Sequence, residues 1–334
     1  MAFDPLPYAA PVFVLALVVE GWLVRYSQRS LISGLGCVAV DQITAAWGLA
    51  LFVTAFDAAH RSAGLIDPHG IAKWVIAVVA HDFAYYLFHR ASHRIHVLWA
   101  AHVVHHQSAT YDFTVSLRQG SIATWVTYAF YLPVALVVDA QTFLIIHAAY
   151  QVYQFFVHTR LVRTLGPLEW LLATPSHHRV HHGSQRAHLD RNYGGFFIVF
   201  DRLLGTFTPE THEPVYGVPG GYDIASPMFA NTYMFLRLIA ASAKLPTVRE
   251  RLRLWWGPPE AGAHLVSSAG HARNTLQHAA PGRTWLVFAA GLAGAITVAL
   301  VPALPCGATV AIGATSVVLV ELACRRFDSR VSTS

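Results

Sequence analysis

HDFAYYLFHRASHRIHVLWAAHVVHHQ, residues 81–107, decides how this chain is read. It begins as one side of an apolar helix and ends in a run of histidines. Residues at i, i+3 and i+4 of a helix share a face. His89 and His93 (HRASH) are therefore neighbours, and His102, His105 and His106 (HVVHH) point to one place. Asp82, Tyr86, His89 and His93 sit at i, i+4, i+7 and i+11, within about 60° of arc. They form a polar stripe that runs down an apolar segment and ends in the first histidine box. Such a stripe faces a protein interior or a site, not lipid.

Two further stretches repeat the pattern. TPSHHRVHH (174–182) carries His178, His181 and His182 in the same HxxHH spacing. His147, Gln151, Gln154 and His158 repeat the stripe spacing of Asp82 to His93 and end in His158. Nine imidazoles result: His89, His93, His102, His105, His106, His158, His178, His181 and His182. One metal takes at most about six ligands of this kind, so nine predict two metals with open positions. Imidazole suits Fe, Zn, Cu and Ni alike, so spacing leaves the metal open. His81 lies about 100° off the Asp82 stripe and about 12 Å from His89 along the axis. His177 competes with His178, since His177 and His181 are also i, i+4; parallel with the second box favours His178.

The rest of the chain gives these boxes a setting. Of 334 residues, 54% are hydrophobic and 12% charged. Mean hydropathy is +0.43. A soluble chain of this length cannot cover that much apolar surface. Disorder and nucleic-acid binding are excluded by the few charges, the absence of basic runs and the many aromatics. Cys37, Cys306 and Cys324 show no pairing or CxxC spacing and read as small apolar fillers. The 20 histidines against 18 acidic residues are the anomaly.

Apolar runs near 9–24, 35–56, 71–89, 120–138, 140–158, 285–301 and 306–324 read as membrane segments. The expected fold is an all-α integral membrane bundle of about 5–7 segments with a cytoplasmic, histidine-rich cap. The first run has no basic n-region and contains Glu20, so it reads as a retained helix. Segments 120–138 and 140–158 are joined by Asp139 alone and fit either two full spans or a re-entrant hairpin. Arg25, Arg29, Arg90, Arg94, Arg160, Arg163, Arg283, Arg325, Arg326 and Arg330 fall on one side if the N-terminus is outside. The expected division is a di-metal domain over 1–215 with its core at 75–215, then 216–283, then a C-terminal membrane hairpin over 284–334. Within 216–283, residues 231–255 read as an amphipathic helix broken at Pro246, lying on the membrane or on its own domain. Residues 257–283, with His264, His271 and His278, read as a linker without a role in the site.

Other chemistries lack their motifs. There is no HExxH, GxSxG, P-loop or GxGxxG. A zinc transporter would line its path with acids, which are few in the spans. A bis-histidine haem protein would need facing pairs rather than triplets.

DFAYYLFHRASH (82–93), WAAHVVHHQSATYDFTVSLRQG (99–120), YQFFVHTRLVRTLGPLEW (153–170) and TPSHHRVHHGSQRAHLDRNYGGFFIVFDRLLGTF (174–207) together resemble the fatty acid hydroxylase/sterol desaturase superfamily of membrane di-iron oxygenases. The resemblance covers roughly 75–215. The LRQ, GPLE and TPSHHRVHH elements are most similar to its alkylglycerol monooxygenase branch. It implies two iron ions on the nine histidines, O2 as oxidant, and hydroxylation of a C–H bond in a membrane lipid, with desaturation by the same oxidant left open. It also implies outer-sphere roles for Asp82, Tyr86 and Asn192 around the ligands. An ion pair of Asp82 with Arg90 or Arg94 is the alternative. Electrons come from a separate electron-transfer protein or a pterin donor, since no dinucleotide fingerprint or cytochrome b5 HPGG motif is present. Arg94 stands where the branch has a glutamate, and Asp112 in YDFT where asparagine is commoner. Ornithine lipids, sphingolipids, acyl chains and sterols are the other lipid classes the superfamily implies. The composition, rich in Ala and in Arg over Lys, suggests a bacterial inner membrane with the site on the cytoplasmic side.

Overall fold

The computed structural model describes residues 5–219, 222–266, 282–300 and 306–328. Among them the chain is helical and contains no strand; sheet-type pairing is confined to the isolated bridges Leu172↔Phe197 and Gly183↔Tyr216. In chain order the helices are α1 (Ala10–Val24), α2 (Gln28–Ala63), α3 (Gly70–Arg94), α4 (His96–His106), α5 (Phe113–Ser116), α6 (Ser121–Tyr131) and α7 (Ala140–Phe156). There follow α8 (Pro175–His181), α9 (Val199–Leu203), α10 (Pro227–Ala243), α11 (Val248–Trp256), α12 (Pro259–Val266), α13 (Gly282–Leu300) and α14 (Cys306–Asp328).

Among the described residues, three stretches are long and apolar enough to cross a membrane: Leu6–Val24, Gly70–Arg94 and Ala308–Arg325. The halves of α2, Gln28–Ala45 and Gly48–Ala63, meet at 47° and make a fourth if taken together. Ser121–Leu136 and Leu286–Thr297 are apolar but shorter. The expected segment 120–138 is not one helix. Pro133 has no N–H to donate, α6 stops at Tyr131, and a 3-10 turn runs over Leu132–Leu136. Asp139 then caps α7 by accepting the Thr142 N–H at 2.9 Å. The turn between the two helices sits beside the α2–α3 connection. Leu65 N donates to Leu136 O at 2.8 Å, and Lys73 pairs with Asp139. The α6–α7 hairpin thus reaches as deep as the far ends of α2 and α3.

Phe52 and Phe56 of α2, Ala77 and Ala84 of α3, Tyr131 of α6, and Phe143 and Leu144 of α7 form the main core at that end. The amphipathic stretch 231–255 is two helices, α10 and α11, separated at 244–247, and its apolar side packs on its own domain. Met234, Leu238 and Ala241 bury against Ala100 and Val103 of α4. The expected linker is a helix in its first part: α12 seats Gly262 against Leu254 and His96. His264 lies exposed on α12, while His271 and His278 lie outside the described residues. Phe288 of α13 and Val320, Ala323 and Cys324 of α14 pack with Ile32 of α2.

Candidate metal centre

Four chain segments supply the nine histidines. The last two turns of α3 carry His89 and His93. Ile95, in extended backbone, breaks the helix and lets α4 turn back with His102, His105 and His106. His158 lies just past α7, where the Tyr111 hydroxyl donates to Val157 O at 3.0 Å and fixes the exit. α8 begins at Pro175, favoured at a first helical position, and carries His178 and His181, with His182 as its cap.

The histidines assemble into two adjacent groups. His89, His93, His102, His106 and His181 form one; His105, His158, His178 and His182 form the other, and in each the ligand atoms lie within 4.8 Å of one another. The boxes therefore do not each converge on one place. The second box gives its i, i+4 pair to the five-histidine group and its i+3 residue to the four-histidine group. The third box does the reverse. The expectation that His102, His105 and His106 share one target is corrected. On a helix i+3 and i+4 lie about 100° apart, so two partners on opposite sides of the box divide it. The groups touch through His106 and His182, whose rings stack with centroids 4.3 Å apart.

Ring orientation follows from backbone carbonyls. His89 Nδ1 faces Tyr193 O at 2.9 Å, His181 Nδ1 faces Arg191 O at 2.9 Å, and His158 Nδ1 faces Gln154 O at 2.7 Å. A carbonyl only accepts, so each of these nitrogens carries the hydrogen and each Nε2 presents a bare lone pair inward. In the five-histidine group the Nε2 atoms of His89, His93 and His181 are buried with no hydrogen-bond partner. In the other, His158 Nε2 lies 3.1 Å from His105 Nε2 and 3.0 Å from His178 Nε2, which lies 3.3 Å from His182 Nε2. Metal–nitrogen bonds of about 2.1 Å set neighbouring nitrogens about 3.0–3.4 Å apart. The donor sets therefore fit one metal ion each. Burial, reinforced in each case by neighbouring imidazoles, holds His102, His105, His106, His178 and His182 well below the ordinary histidine range, and burial outweighs the Arg191 carbonyl for His181. The neutral form is the one that binds metal.

His81 and His177 join neither group. His81 Nε2 meets His147 Nδ1 at 3.1 Å among Tyr131, Phe143 and Tyr150. His177 Nδ1 accepts the Thr174 N–H at 3.3 Å and so closes the start of α8. Asp82 makes neither a histidine contact nor the alternative ion pair. Its two oxygens accept the N–H groups of Phe196 and Phe197 at 2.8 and 2.9 Å. Tyr86 meets the Thr206 hydroxyl at 3.0 Å and accepts from Arg90 at 3.3 Å.

Asn192 acts through the backbone. Its φ is +55°, left-handed, and its side chain donates to His177 O at 3.1 Å and Thr208 O at 2.7 Å while accepting Thr208 N at 2.8 Å. The carbonyls on either side of it, Arg191 and Tyr193, are those that orient His181 and His89. Asp201 secures the same loop by accepting Tyr193 N and Gly194 N at 2.8 and 2.6 Å. A Cβ on Gly195 would lie 1.1 Å from the Tyr150 hydroxyl, so only glycine fits.

Three polar residues outside the expected site hold it together. Arg118, in the LRQ element, is buried and places all five N–H groups: on Val104 O, Ser33 Oγ, Asp223 Oδ1, Gln107 Oε1 and Ile224 O. Arg179, inside the third box, does the same with both oxygens of Glu210 and the carbonyls of Thr159, Val162 and Arg163. Glu20 accepts Tyr26 Oη at 2.6 Å, Phe113 N at 2.7 Å and the Thr159 hydroxyl, which ties α1 to the His158 exit. Glu20 was visible as a charge in an apolar run, a sign of an internal partner. Arg94 pairs with Asp190 and Glu260, and Asp112 caps α5 through Thr114 N at 3.0 Å.

Residues 74–206 match the family model for fatty acid hydroxylase. The matched region contains all nine histidines. The chain is 43% identical over 145 residues to alkylglycerol monooxygenase of Xenopus tropicalis, covering 43% of this chain and 32% of the relative. It is 41% identical over 145 residues to the Homo sapiens alkylglycerol monooxygenase, with 43% and 33% covered. It is 28% identical over 148 residues to ornithine lipid hydroxylase OlsE of Rhizobium tropici, with 42% of each covered. The superfamily resemblance, and that to the alkylglycerol monooxygenase-like branch, is thereby supported. The chain spans about a third of the length of the alkylglycerol monooxygenases it matches. No solved structure matches it.

Proposed function

We propose that this chain is a membrane di-iron monooxygenase that hydroxylates a C–H bond in the acyl or alkyl chain of a lipid. The observation that carries the reading is the division of nine histidines into two touching, carboxylate-free groups, within the region that matches fatty acid hydroxylase. His89, His93, His102, His106 and His181 would hold one iron; His105, His158, His178 and His182 the other. Bound irons supply the chemistry R–H + O2 + 2e⁻ + 2H⁺ → R–OH + H2O, with both electrons from an external protein or pterin donor. The chain's own part is to fix the ligands and exclude water. Carbonyl groups of Gln154, Arg191 and Tyr193 hold three rings with Nε2 inward, and burial keeps the imidazoles neutral. The lipid classes named for the relatives, alkylglycerols and ornithine lipids, are the first substrates to try.

The bundle we propose places α1, α2, α3, α6, α7, α13 and α14 in the bilayer. The N-terminus lies outside, and the metal centre lies at the cytoplasmic face, where reduced donors are found. The experiment compares lipid extracts from aerobic cells with and without the chain. A lipid that gains the mass of one oxygen atom, and does so only with the native chain and not with His178→Ala, is the expected result. Metal uptake with no lipid change would overturn the reading in favour of transport.

A further inference from the structure

The segment between the second and third boxes and the NYGG loop carry an apolar surface that the metal centre does not use. On α3, Ile71, Val75, Val79, Phe83 and Leu87 are exposed at intervals of four and form one ridge. The ridge is about 24 Å long at 1.5 Å per residue, most of the roughly 30 Å of a bilayer's hydrocarbon. It marks where lipid meets this helix. Chain 196–200 joins α3 below the upper end of that ridge. Asp82, about 8 Å short of Leu87 along the axis, accepts Phe196 N and Phe197 N. The rings of Phe83 and Phe200 lie 5.1 Å apart. Residues 168–173 are carried to the same level, since Ala173 N donates to Phe196 O and Ile198 N donates to Leu171 O.

Together, 168–173 and 196–204 form a ledge whose outer side shows Leu168, Trp170, Leu171, Leu203 and Leu204, with Leu203 at 74% exposure. Its one cation, Arg202, lies beside two aromatic rings. The Arg202 guanidinium lies 4.7 Å from the Trp170 ring centroid and 3.8 Å from that of Phe207, and it donates to Glu169 O at 3.2 Å. Trp170 and a snorkelling arginine suit the boundary between headgroups and hydrocarbon.

We infer that this ledge is immersed in the same leaflet as the upper half of α3, its apolar side in contact with lipid acyl chains. The occupant of the surface is hydrocarbon, not a protein partner. The inference rests on α3 crossing the membrane, not on the reaction catalysed. The histidine-bearing part of the chain is then set into the bilayer surface rather than perched on it.

The test uses the full chain in phosphatidylcholine vesicles. Nitroxide labels are placed singly at Leu168→Cys and Leu203→Cys, with the three native cysteines replaced by alanine. Val79→Cys on the α3 ridge and Glu213→Cys, 76% exposed in its ion pair with Arg160, are the references. The expected ratio of oxygen to nickel-chelate accessibility at 168 and 203 approaches that at 79 and exceeds that at 213 several-fold. Ratios at 168 and 203 equal to that at 213, with 79 still lipid-exposed, overturn the ledge and leave the span intact. If the cysteine-free background fails to fold, the same residues are read by an impermeant maleimide in a chain with only Cys306 replaced by alanine, since Cys37 and Cys324 are buried. Labelling of Leu203→Cys several-fold slower than Glu213→Cys supports immersion; equal rates refute it.

Discussion

His105→Ala combined with His182→Ala takes one residue from each HxxHH box but two from a single group. The rings of His105 and His182 are neighbours, 4.6 Å between centroids, and both belong to the four-histidine group. A four-ligand site binds with about 10–16 kcal/mol, so each ligand carries about 2.5–4 kcal/mol. Losing two costs about 5–8 kcal/mol, or about four to six factors of ten in affinity. The five-histidine group keeps every ligand and should hold its metal at native affinity. Metal analysis of the detergent-purified double variant should therefore give half the native content, with a chelator titration midpoint unchanged for what remains. His106→Ala with His181→Ala should empty the other site by the same logic, though three ligands survive there. Parallel weakening of both metals in His105→Ala/His182→Ala would show that each box builds its own site. It would refute the crossed arrangement. One metal per native chain would refute it too.

Asn192→Gly keeps the left-handed backbone but loses the three side-chain hydrogen bonds, whereas Asn192→Ala also strains φ. Both should destabilise by about 2–3 kcal/mol, with Ala about 1 kcal/mol worse, and Ala should show the larger drop in affinity of the five-histidine group; equal metal affinity would deny Asn192 its positioning role. Arg179→Met strands the Glu210 carboxylate and three carbonyls and should cost about 3–5 kcal/mol in chemical denaturation. The metal-free chain should weaken in acid. His102, His105, His106, His178, His181 and His182 titrate below about 6.5 when folded and near 6.5 when unfolded. Below that pH the unfolded state binds more protons, so stability falls as pH drops, by at most about 1.4 kcal/mol per pH unit per histidine, and is level above about pH 7.5. Denaturation midpoints from about pH 8 to about pH 5 check this, and a flat profile would mean the imidazoles are solvated.

The amino-acid sequence by itself singled out the nine histidines. Nine histidines at helical spacing, next to apolar runs, have few physical uses, and the same nine come together in the structure. It also marked the apolar helices α1, α3 and α14, because a membrane span must be apolar along its whole length, a property of composition. What it could not show is which histidines share a metal. The i, i+3 and i+4 positions are near neighbours on one helix, yet they divide once partners stand on two sides, and the partners come from residues up to 92 positions away, as with His89 and His181. Nor could it show the groups that orient the rings. Those are backbone carbonyls of Gln154, Arg191 and Tyr193, and every residue has a carbonyl, so side-chain identity carries no signal for it. Asp82 makes the same point. Its place on the histidine stripe suggested a ligand's partner, but the tertiary structure brings the NYGG loop to it, and a buried carboxylate is satisfied by whichever N–H groups arrive.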